Sequence, residues 1–106
     1  MRVEVIDDYT VIIGENAKEN DELVKESAPN DIWLHLENMS SAHIVIKTND
    51  KETPKRVINM AASLFARYSP GKVTGRYNVI WTEIKNVKTT NTIGCVLPKK
   101  VRLIRC

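Results

Sequence analysis

Asp31-Ile-Trp-Leu-His-Leu36, followed after a polar break by Ala42-His-Ile-Val-Ile-Lys47, is the stretch on which the fold turns. Side chains of an extended chain alternate between faces, so Ile32, Leu34 and Leu36 share one face, Trp33 and His35 the other. A hairpin centred near Met39 sets position 35 opposite position 43 and Trp33 beside Val45. His35 and His43 then become cross-strand neighbours. A slip of one residue would send every side chain to the opposite face, so the register is an expectation to test.

Working outward toward the N-terminus, Val3–Ile6 and Thr10–Ile13 are β-branched runs separated by Asp7-Asp8-Tyr9, a strand hairpin. Gly14 closes the second run. Asn16 is placed to cap a helix, with Glu19 three residues on completing a capping box. Leu23 and Val24 give that helix a small apolar patch, and Ser27-Ala-Pro29 stops it, so it is expected along an edge of the core.

Toward the C-terminus, Thr53 reads as an N-cap and Pro54 as a first helical residue. Val57, Ile58, Ala61, Ala62, Leu64, Phe65 and Tyr68 recur at helical spacing, while Lys55, Asn59, Ser63 and Arg67 line the polar face. Pro70-Gly71 ends the helix, which is expected at the centre of the core. Tyr77–Ile84, Ile93–Leu97 and Val101–Ile104 read as strands, with a polar segment over 85–92. The order β-β-α-β-β-α-β-β-β specifies a single α+β domain over residues 1–106: a mixed, mostly antiparallel sheet with one long and one short helix.

The chain has 106 residues, 42% of them apolar and 27% charged, which fits one soluble core and excludes a disordered chain. The longest apolar run, Met60–Ala66, is broken by Ser63 and far short of the roughly 20 residues of a membrane span. The opening residues alternate charge with apolarity and hold no signal-peptide core. Cys95 and Cys106 form no C-x-x-C pair, and with two histidines no closed metal site is expected, nor any cofactor. Free thiols without an export signal point to the cytoplasm.

The net charge of +3 conceals a division. Residues 1–50 carry four Lys/Arg against eleven Asp/Glu, and residues 51–106 carry twelve against Glu52 and Glu83. The second half therefore suggests a polyanionic partner. Arg67, Lys72, Arg76, Lys85, Lys88, Lys99 and Lys100 are the candidate phosphate-binding residues, Lys72 and Arg76 foremost because they bracket the loop before a basic strand. Aromatic content of 6% argues against a surface built mainly of stacking platforms.

Trp33, His35 and His43 admit two readings. In one, they lie under the Thr53–Tyr68 helix with the histidines hydrogen-bonded inside. In the other, Trp33 stacks on a base and the histidines contact phosphate or ribose. A facing histidine pair could also serve as general base and acid in metal-independent RNA cleavage. No repeated His-x-Thr signature or acidic metal cluster accompanies it, and Asp31 reads as a turn residue or histidine orienter more than a catalyst. A third class is an interaction module docking on an acidic protein.

Gly14…Asn16-Ala-Lys-Glu-Asn-Asp-Glu-Leu23, Asn30-Asp-Ile-Trp-Leu-His35 and Ser41-Ala-His43 together resemble the NFACT-R domain. That domain occurs in the NEMF, Caliban and fibronectin-binding-protein-like factors of ribosome-associated quality control and in small stand-alone proteins. Ala61-Ala…Arg67-Tyr-Ser69, Lys72-Val, Lys85-Asn-Val-Lys88 and Gly94 extend the likeness almost to the end. Ser40-Ser41-Ala42 replaces the Pro-Gly-Ser usual in the large members, and Thr89-Thr-Asn-Thr-Ile93 replaces their Lys-Pro-rich segment. Both departures resemble the stand-alone branch. The resemblance implies binding of structured RNA, such as transfer or ribosomal RNA, with the ribosome or its associated proteins as further candidate partners, and a place in translation. It does not carry over peptide tailing on stalled ribosomes, which uses other modules of the large members.

Overall fold

The computed structural model describes residues 1–73 and 75–106, with the backbone alone at Pro70. Two β-branched runs form β1 (Arg2–Ile6) and β2 (Tyr9–Gly14), joined by a tight turn with Asp7 and Asp8 at φ 46° and 71°. Positive φ at both central residues matches the right-handed twist of the flanking strands. α1 (Ala17–Glu26) follows, capped by Asn16, whose side-chain oxygen accepts from Glu19 N at 2.9 Å. The reciprocal bond shifts by one residue: Glu19 Oε1 accepts from Glu15 N at 3.0 Å instead of from Asn16. β3 (Ile32–Leu36) and β4 (His43–Ile46) then pair as expected, Trp33 with Val45 and Leu34 with Ile44.

α2 spans Lys55–Ser63 and α3 spans Phe65–Tyr68, so the expected single helix is interrupted at Leu64. Thr53 does not cap it. Pro54 holds the N-cap position without a side-chain bond, and the Thr53 hydroxyl is buried without a hydrogen-bond partner. β5 (Asn78–Glu83) pairs with β3, and β8 (Arg102–Arg105) pairs with β5. Between them lies a separate ribbon of β6 (Val87–Thr89) and β7 (Val96–Pro98). β6 falls in the segment expected to be irregular, because three residues with one inward Val87 leave no period to read.

The six-stranded sheet runs β1-β2-β4-β3-β5-β8, and its described pairings are antiparallel throughout. This is the α+β class. On one face α2 and α3 cover Ile32, Leu34, Leu36, Ile44 and Ile46 with Val57, Ile58, Ala61, Ala62 and Phe65. Burial of each large side chain in this layer stabilises the fold by roughly 1.5–3 kcal/mol. The opposite face, carrying Trp33 and Val45, is covered by Leu23 and Val24 of α1, with Ile84, Val87 and Val96 completing the layer. The short acidic helix thus forms part of a third layer, packed on the sheet face instead of along an edge. The cover over Trp33 is α1, and α2 lies on the other side.

Strand order also places the charge. β1 to β4, from the acidic half, form one side of the sheet, and β5 and β8, from the basic half, form the other edge. Among the strands the division runs from edge to edge along the sheet, while the helices divide by face, acidic α1 on one and basic α2 and α3 on the other.

Candidate nucleic-acid interface

Continuing the β3–β4 register brings His35 opposite His43, with ring centroids 4.8 Å apart. Trp33 stacks on His35 at 5.5 Å and meets His43 edge-on at 5.6 Å. Trp33 Nε1 donates to His43 Nδ1 at 3.2 Å, so the remaining proton of His43 is on Nε2. His35 Nδ1 lies 2.7 Å from the Leu36 carbonyl, which can only accept, so His35 carries its proton on Nδ1 and keeps a lone pair on Nε2. Burial drives the His43 pKa down to about 3, with repulsion from a charged His35 adding to it. Burial also lowers the pKa of His35, against the opposing pull of the Leu36 carbonyl.

These positions decide between the two readings for Trp33 and His43. Trp33 and His43 are only 1% and 2% exposed, so neither offers a face to a base or phosphate. The Nδ1 of His43 accepts from Trp33 and the ring is buried, so His43 offers no free basic nitrogen to a substrate. Asp31 is also accounted for. Its carboxylate is buried, accepts from Ala28 N at 2.9 Å and Thr48 N at 3.0 Å, and pairs with Lys47 at 3.1 Å. It staples the start of β3 to the end of β4 and orients no histidine.

Half-buried His35 borders an open cleft of about 440 Å³ together with Asn16, Ser41, Tyr68, Lys72 and Cys95. Buried Asn20 forms its floor, its side-chain oxygen accepting from His43 N at 3.2 Å and tying α1 to the sheet. Glycine is required at two points here. A Cβ on Gly14 would strike Asn20, and Gly94 adopts φ +82° while approaching Ala17 so closely that a Cβ would stand 2.9 Å away. Lys72 is therefore brought to the histidine pair, as part of a cleft that also holds Glu15.

The other candidate cations are dispersed. Arg67 pairs with Glu4 at 3.6 Å, and Lys85 with Glu83 at 3.6 Å. Lys88 lies on β6, and Arg76 precedes β5, with Thr74 of the intervening loop outside the described residues. Lys100 borders a second groove, of about 580 Å³, where it joins Lys51, Lys55 and Arg102. Trp81 lies in the same groove, with the Arg102 guanidinium carbon 4.9 Å from its ring centroid. None of Lys51, Lys55, Trp81 or Arg102 stood out in the sequence. The β5–β8 pairing that sets Trp81 opposite Arg102 joins residues separated by an entire ribbon.

A family model described as the NFACT protein RNA binding domain matches residues 2–100. The chain belongs to this family. Among curated relatives, coiled-coil domain-containing protein 25 of Bos taurus is 34% identical over 106 aligned residues, 91% of this chain and 51% of the relative. Its counterpart in Mus musculus shows the same identity and coverage. The Rqc2 homolog RqcH of Bacillus subtilis is 31% identical over 83 residues, 77% of this chain and 14% of that protein. This NFACT-R chain therefore spans about half the length of the first two relatives. The same fold occurs in the C-terminal part of the fibronectin/fibrinogen-binding protein of Streptococcus suis, with a TM-score of 0.81 at 24% identity, covering 92% of this chain and 40% of that one.

Proposed function

We propose that this NFACT-R chain binds structured RNA, transfer or ribosomal, in the setting of translation and ribosome quality control. Membership of an RNA-binding domain family supports the class of ligand, and the similarity to RqcH supports the setting. The observation that carries the proposal for this chain is the distribution of unpaired cations. Among the described residues, Lys51, Lys55, Lys72, Arg76, Lys88, Lys99, Lys100, Arg102 and Arg105 have no ion-pair partner, and all come from the basic half. Of the four cations in the acidic half, only Lys18 is without a partner among the described residues. Cations left without ion-pair partners are available to displace counterions from a phosphate backbone.

The test is a titration of folded tRNA at several salt concentrations, with the unaltered chain and with Lys72→Glu/Arg76→Glu. The double variant should bind more weakly and show a shallower dependence of log affinity on log salt, by about one unit of slope for each phosphate it no longer neutralises. Equal binding and an equal slope would remove those two residues from the interface. Absence of any salt-sensitive RNA binding by the unaltered chain would overturn the proposal and favour docking on an acidic protein.

A further inference from the structure

We infer that the groove between the start of α2 and the β5–β8 edge is a subsite for an unpaired RNA base and its phosphate, with Trp81 and Arg102 as the stacking element. The inference rests on the RNA-binding reading and assigns a place and a chemistry within it. Trp81 sits on the face of β5 that α2 shields only in part. It packs against the main core on its inner side while remaining partly exposed. Directly across the ladder, Arg102 holds its guanidinium over the indole. An arginine held over an indole by cation–π attraction is pre-placed and extends the aromatic surface. Bases stack on aromatic rings and on arginine planes with little dependence on sequence.

The surroundings suit the rest of a nucleotide. Lys51, Lys55 and Lys100 border the groove and have no ion-pair partner among the described residues. Three carboxylates also border it. Glu83 is paired with Lys85 at 3.6 Å, which leaves Glu52 and Asp50, the latter hydrogen-bonded by the Asn30 amide at 2.9 Å, against four cations once Arg102 is counted. The Thr53 hydroxyl, buried without a partner, lies along the same wall. A groove combining a partly exposed indole, a poised guanidinium and three free ammonium groups matches a base joined to a phosphodiester. An acidic peptide would use the ammonium groups and leave the indole idle.

The experiment measures the affinity of the full chain for a six-nucleotide oligoadenylate and for inorganic polyphosphate. Trp81→Leu should weaken oligoadenylate binding about tenfold and leave polyphosphate binding unchanged, as expected for loss of one stacked base. Arg102→Lys keeps the charge and should lower oligoadenylate affinity severalfold, which provides an independent result should Trp81→Leu fold poorly. If both variants bind oligoadenylate as the unaltered chain does, the subsite is refuted. If they lose polyphosphate in the same proportion, the groove is a charge site without base stacking and the inference also fails. Binding of tRNA by the unaltered chain is the control that separates these results from failure of the RNA-binding reading itself.

Discussion

Two tryptophans on neighbouring strands meet opposite fates. Trp33 of β3 is 1% exposed and gives its indole N–H to His43. Trp81 of β5, paired across from Leu34, is on the other face, partly open and beneath Arg102. Their different surroundings follow from what lies above each face. α1 and the β6–β7 ribbon seal the side carrying Trp33, whereas α2 and α3 stop short of the edge formed by β5 and β8. The first tryptophan orders a core, and the second is left where a ligand can reach it.

The largest effect is expected at the sealed tryptophan. Trp33→Ala should reduce unfolding free energy by about 3–5 kcal/mol in urea titrations, because it opens a cavity and strands His43. A loss below about 1 kcal/mol would show that the Trp33 layer is not a packed core. Asp31→Ala, at the base of the same strand, should follow at about 3 kcal/mol. It leaves Lys47 half-buried without its partner and frees two backbone N–H groups.

Acidification probes the same layer more gently. Unfolded His43 takes up a proton near pH 6.5, and the folded chain resists it until about pH 3. The unfolded state therefore binds more protons across that window. Stability is fully present above pH 6.5 and falls as pH is lowered, by up to about 1.4 kcal/mol per unit for this one group. Urea midpoints at pH 7.5 and 5.5 check this, and equal midpoints would contradict a buried neutral His43. The smallest effect on stability belongs to the open tryptophan: Trp81→Leu should shift unfolding by about 1 kcal/mol or less, since its replacement keeps an apolar inner surface. A loss as large as that of Trp33→Ala would erase the contrast between the two.

Much of this was legible in the sequence. The alternation in Ile32–Leu36 and His43–Ile46 was enough to pair His35 with His43, and Asn16 announced the start of α1. What covers each face was not legible, because the choice depends on chain crossings between elements distant in sequence. α1 shows only Leu23 and Val24 as apolar signals, yet the sheet face it covers is finished by Ile84, Val87 and Val96 from elsewhere. For the same reason the aromatic-histidine motif stayed open between a core and a ligand surface, and the structure buries Trp33 and His43 while leaving His35 at the cleft. Trp81 looked like one more strand residue until β8 supplied Arg102.

Tryptophan fluorescence during RNA titration compares the two residues in one cuvette. Oligoadenylate is expected to quench the emission of the unaltered chain, whereas Trp81→Leu, retaining only the shielded Trp33, should show no quenching. Quenching that persists undiminished in Trp81→Leu would place the RNA at the wrong tryptophan and contradict the assignment of the open one as the binding residue.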